Sequence, residues 1–167
     1  MNLDSKNLPA ITIGIFTLAI VGWLAYGSEG ILKTLGAKDT RLLKPDDPKI
    51  VAIGQAVYLA NCASCHGKGL EGQPDWQTPK PDGRRPAPPH DVSGHTWHHA
   101  SALLFDMTKY GIAEAAGLEN YDTDMPAYQD VLTDEEIIAV LSFIKSTWPE
   151  EIRQKHDQLD QAAARRN

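Results

Sequence analysis

The chain has 167 residues, with 16 Lys and Arg against 22 Asp and Glu, for a formal net charge of −6. That length holds one domain of about 100 residues plus appendages, and the acidic balance excludes the basic face a nucleic-acid binder needs. Two cysteines, 13 glycines, 11 prolines and few aromatics call for long irregular loops around a small apolar core.

No charge occurs from Leu8 to Ser28. About 20 apolar residues in helix cross the roughly 30 Å hydrocarbon core of a bilayer, so residues 1–28 read as a single transmembrane anchor. Pro9 suits a first helical turn, and Trp23 and Tyr26 stand where aromatic rings favour the interface. The competing reading is a cleaved signal segment, with Ala25-Tyr26-Gly27 as a small–x–small cleavage site. Against it, the stretch is longer than a usual signal core, and only Lys6 precedes it as a base. Residues 29–47 mix charges with Ile31, Leu32, Leu35, Leu42 and Leu43 and read as a linker.

Asp47-Pro48 opens a helix, Asp at the N-cap and Pro at the first helical position. The helix is expected to run to about Ala60. Gly54 is costly inside a helix, so a packing role is expected for it. Cys62-Ala63-Ser64-Cys65-His66 follows, a C-x-x-C-H sequence that reads as covalent haem attachment. The spacing spans the two vinyl groups of a porphyrin, and the adjoining imidazole can meet the iron. A disulfide would close a tiny loop and stabilise little. A thioredoxin-like pair would follow a strand, and a zinc site would need two more nearby ligands. Gly67-Lys68-Gly69 can wrap tightly around a flat cofactor.

Glu71 to Asp91 carries six prolines and fits no regular element. Arg84, Arg85, Trp76 and Trp97 can donate hydrogen bonds to haem propionates; a solvated charge pair is the plain alternative for the two arginines. His90, His95, His98 and His99 cluster. A second metal site for copper or zinc is one reading, and surface or loop packing is the preferred one. Ser101 to Tyr110 is expected to be a short helix with Ser101 as N-cap and Gly111 as stop. Ile112 to Tyr121 has room for another turn. Asp124-Met125-Pro126-Ala127-Tyr128 forms a loop. A last apolar helix then starts at Thr133, with Glu136 completing a capping box and Ile137, Val140, Leu141 and Ile144 among its apolar positions. Residues 149–167 read as a charged helix or, more simply, a solvated tail.

Taken in order, Gly54, Tyr58, the C-x-x-C-H sequence, the Gly67–Gly69 loop, the Met125-Pro126 loop and the Thr133 helix resemble a class I c-type cytochrome. The resemblance covers residues 48–148. It implies an all-α haem domain with one covalently attached haem c, His66 as proximal ligand and Met125 as sixth ligand. Met107, expected in the core, is the rival. It also implies that the first and last helices cross at Gly54 and Tyr58, and that a loop proline carbonyl orients His66. Pro88 and Pro89 are the best placed for this, with Pro86 open. The family context implies electron transfer, not catalysis, with quinol–cytochrome c oxidoreductase as donor and a terminal oxidase or reaction centre as acceptor. The alternative is a fixed subunit of such a complex. By the same resemblance the haem domain faces the periplasm of a bacterial inner membrane.

Overall fold

A computed structural model describes residues 41–166. The expected membrane segment, 8–28, and linker residues 29–40 lie outside the described residues. Among the described residues, no helix is long and apolar enough to cross a membrane.

All regular structure among the described residues is helical. The elements are α1 (Pro48–Asn61), α2 (Ala63–His66), a 3₁₀ turn (Thr96–His98), α3 (Ser101–Tyr110), α4 (Ile112–Ala116), α5 (Asp134–Ser146) and α6 (Glu150–Ala164). The N-termini of α1 and α5 carry their own start signals. The Asp47 carboxylate accepts from the Lys49 and Ile50 amides, and Thr133 and Glu136 form a reciprocal capping box.

α1 packs across α5 at Gly54. A Cβ there would lie 1.9 Å from the Ala139 carbonyl oxygen, so only glycine lets the two backbones approach this closely. Tyr58, fully buried one turn on, fills the crossing and packs beside Phe143 with ring centroids 5.5 Å apart. Ile137, Val140, Leu141 and Ile144 form the buried face of α5.

Three expectations change. Ser101 is the first residue of α3, not its N-cap. Its amide and its hydroxyl both donate to the Asp160 carboxylate, at 2.6 Å each, so the cap comes from α6. Second, residues 150–164 are a docked helix, not a solvated tail. Ile152 and His156 are buried, and the Lys145 ammonium reaches His156 Nδ1 at 2.9 Å and Asp157 at 2.5 Å. Third, the end of the expected linker belongs to the domain. Leu43 is buried and the Lys44 amide donates to Ser142 Oγ at 2.9 Å.

Candidate haem site

The C-x-x-C-H sequence sits where α1 ends. Cys62 caps α1, and Ala63 to His66 form the single turn of α2. The Tyr58 hydroxyl donates to the Gly67 carbonyl at 2.9 Å, tying the turn back to the α1–α5 crossing. Both thiols are unbridged, Cys62 half-buried and Cys65 exposed. Burial, then the neighbouring Cys65, pushes the Cys62 thiol up to about 11. An unattached Cys62 in this fold is therefore a thiol at neutral pH.

The tautomer of His66 follows from its partner. Nδ1 lies 2.8 Å from the Pro88 carbonyl, and a carbonyl can only accept, so Nδ1 carries the proton. The Nε2 lone pair is left for a metal. Burial holds the imidazole below its usual pKa, partly offset by the Pro88 hydrogen bond. His66 is thus a neutral, oriented imidazole whose Nε2 could serve a metal. Gly72 makes room for the accepting Pro88-Pro89 segment. Its φ is +70°, and a Cβ on it would meet the Pro89 nitrogen at 2.4 Å. Of the three prolines open in the sequence, Pro88 supplies the carbonyl; Pro86 lines the cavity beside it and Pro89 does not.

A cavity of about 650 Å³ opens between α2, the proline loop, α3, α5 and the Met125 loop, within the size range of cofactor pockets. Cys62, Cys65 and His66 line it on the α2 side, and Leu104, Val140, Leu141 and Ile144 give it apolar walls. A flat apolar cofactor held by two thioether bonds and one imidazole fits this set. Met125 and Met107 both line the cavity. Met107 therefore faces the same space as Met125 instead of being lost in the core. Met125 is on a loop whose turn is set by its own amide donating to Thr123 Oγ1 at 3.1 Å.

The propionate candidates separate. Trp76 and Arg85 line the cavity, and Arg85 Nη1 also donates to the Gln77 carbonyl. Arg84 and Trp97 are not among the lining residues. Arg84 pairs with Asp124 at 2.8 Å, beside Lys80 at 2.7 Å. Trp97 stacks on His98 at 3.6 Å and donates to the Val92 carbonyl. Both are held away by nearer partners.

The histidines divide as well. His90, His95 and His99 line the cavity and His98 does not. His90 stacks on His66, and His95 stacks on Trp76 with centroids 5.4 Å apart. Burial lowers the pKa of all three. Among the described residues, the set of three close enough to share a cation is His156, Asp157 and Asp160, and the Lys145 ammonium already sits against all three. The sequence did not single this group out. Its one visible trace is Lys145, the only charge within the apolar run of α5 after Glu136.

The cytochrome c family profile matches residues 51–148. The chain is a member of the cytochrome c family. Its haem c is therefore covalently attached, through Cys62 and Cys65 of the C-x-x-C-H sequence. Among curated proteins the cytochrome is similar to a cbb3-type cytochrome c oxidase subunit FixP of Sinorhizobium medicae, 24% identical over 96 residues. The match covers 58% of this chain and 29% of that relative, so the cytochrome spans less than a third of the relative's length. No solved structure matches the chain.

Proposed function

We propose that this cytochrome carries single electrons between membrane redox complexes, with His66 and Met125 as axial ligands of one haem c. The observation that carries the reading is that a neutral, oriented imidazole and the Met125 thioether line the cavity that Cys62 and Cys65 also line. Bound haem supplies one-electron Fe(III)/Fe(II) chemistry. A Met thioether paired with a His imidazole as iron ligands would favour the reduced state and raise the potential. If His66 and Met125 both held the iron, no position on it would be open to a substrate, and the haem would serve electron transfer to a docked partner. Quinol–cytochrome c oxidoreductase as donor and a terminal oxidase or reaction centre as acceptor are the partners proposed.

The uncharged Leu8–Ser28 stretch supports a single membrane anchor, with the haem domain on the periplasmic side of a bacterial inner membrane. Leu43 is already packed into the domain, so at most residues 29–40 are left as spacer. The similarity to FixP, a cbb3-type cytochrome c oxidase subunit, favours a second reading, a fixed subunit of a terminal oxidase.

Two measurements on the native membrane protein test this. The ferrous cytochrome should not bind carbon monoxide, and rapid binding would sink the carrier reading. Detergent, but not high salt, should release the chain; release as one partner of a stoichiometric assembly would favour the subunit reading.

A further inference from the structure

His90 occupies an unusual place. Its ring stacks on His66, with centroids 4.0 Å apart and planes 25° from parallel. It also lines the cavity that receives the haem. An apolar side chain would fill such a wall without needing a partner, whereas a buried imidazole needs one. His90 has it: Nδ1 lies 2.9 Å from Thr96 Oγ1, and Thr96 is itself buried.

The backbone of His90 is fixed at both ends. Its amide donates to the Leu70 carbonyl at 2.8 Å, and its own carbonyl accepts from Trp148 Nε1 at 2.8 Å. Leu70 takes a left-handed conformation, φ +69°, rare for a leucine. The Tyr58 ring also packs against His90, with centroids 6.1 Å apart and planes at 74°. The His90 plane is thus held by hydrogen bonds and packing that do not involve His66.

We propose that His90 is a positioning residue for His66, setting the plane of the proximal imidazole by stacking while Pro88 sets its position within that plane. The inference rests on His66 being the proximal iron ligand. A carbonyl acceptor alone leaves the ring free to tilt about the Nδ1–O direction. A flat ring pressed against its face removes that freedom. The plane of an axial imidazole governs the splitting of the iron d orbitals, so rotation of His66 would appear in the magnetic spectrum and in the potential.

The test is low-temperature electron paramagnetic resonance of the ferric holoprotein, paired with redox titration. Wild type should be low-spin, with a thioether-to-iron charge-transfer band in its optical spectrum. His90→Leu should stay low-spin with shifted g values and a shifted potential. His90→Phe restores a flat ring and should lie nearer the wild type. Wild-type g values in His90→Leu, or equal shifts in both variants, overturn the positioning role while leaving His66 ligation intact. A high-spin wild-type spectrum overturns Met125 as the sixth ligand, not His66 as the proximal one, and the positioning role is then read from the rhombic splitting of the high-spin signal, unchanged in His90→Leu if the role is wrong. If His90→Leu yields no folded holoprotein, Thr96→Val carries the test, since it frees the His90 ring to turn. A smaller shift in the same property supports the role, and unchanged g values overturn it.

Discussion

Gly54 on α1 faces the backbone of Ala139 on α5 so closely that a Cβ would lie 1.9 Å from the carbonyl oxygen and 2.9 Å from Phe143 Cβ. The obstacle is helix backbone, not the end of a flexible side chain. Gly54→Ala should therefore push the helices apart and cost about 3 kcal/mol. A lower denaturant midpoint in the holoprotein checks this, and an unchanged midpoint refutes it.

Met125→Leu removes the proposed thioether ligand while keeping haem attached at Cys62 and Cys65. The potential should drop on the order of 0.1 V or more, within the roughly 0.8 V range that axial ligands set. The ferrous form should then bind carbon monoxide. Met107→Leu, which touches the same cavity from α3, should do neither. If the two variants behave the other way round, Met107 is the ligand.

What could be read from the sequence is what local chemistry determines. The α1 cap at Asp47, the capping box at Thr133 and the glycine at the crossing each announce themselves within a few residues. The cavity's distant parts were readable only through spacing learned from the family, which left three prolines for one carbonyl. The misreadings came from partners far along the chain. Asp160 lies 59 residues from Ser101, so local sequence could place a serine at the start of α3 but not the carboxylate that caps it. The charged composition of α6 masks one buried face, where His156 and Ile152 sit.

Lys145 is 1% exposed; its ammonium donates to His156 Nδ1 and Asp157 and lies 3.9 Å from Asp160, contacts that tie α6 to α5. Lys145→Met would leave His156 Nδ1 without its donor and take the ammonium away from two carboxylates, of which Asp160 keeps the Ser101 amide and hydroxyl and Asp157 keeps Arg41. Breaking such a group costs about 3–5 kcal/mol when fully buried. Asp157 and Asp160 keep 28% and 23% of their side-chain exposure, so about 3 kcal/mol is expected. Chemical denaturation measures it, and proteolysis should cut α6 first. A variant as stable as wild type would mean that Ile152 packing and the Ser101–Asp160 and His99–His156 hydrogen bonds suffice to hold α6.

His156 is neutral in the fold. Nε2 donates to the His99 carbonyl and Nδ1 accepts from Lys145. Burial first, and then the Lys145 charge, lower its pKa, with Asp160 and Asp157 opposing. The unfolded chain therefore takes up the proton first, and stability falls as pH drops below about 6.5 toward the lowered folded value. The slope from this group is at most about 1.4 kcal/mol per pH unit. His95 and His99 act with the same sign, whereas an iron-bound His66 does not titrate there. His156→Gln should flatten the curve below about pH 6.5 without abolishing it. Parallel wild-type and variant curves would show that His156 does not titrate in this window.

The last prediction concerns the partner surface. From Lys49 to Glu150 there are 7 Lys and Arg against 14 Asp and Glu, a difference of 7 − 14 = −7. Near the Met125 loop, Lys80 and Arg84 offset Asp124, and Lys109 offsets Asp134. Glu119, Asp122, Asp130 and Glu135 are left exposed around them. A ring of lysines guiding an acidic partner is therefore not what this face offers. If residues 8–28 anchor the chain, tethering raises effective concentration without charge complementarity. Electron transfer in native membranes should then stay nearly flat as salt is added, whereas docking to a basic partner patch would slow it, because steered association weakens steeply with ionic strength. A rate that rises steeply with salt would mean like-charged surfaces being screened, and neither a tethered nor a basic-partner encounter would survive that result.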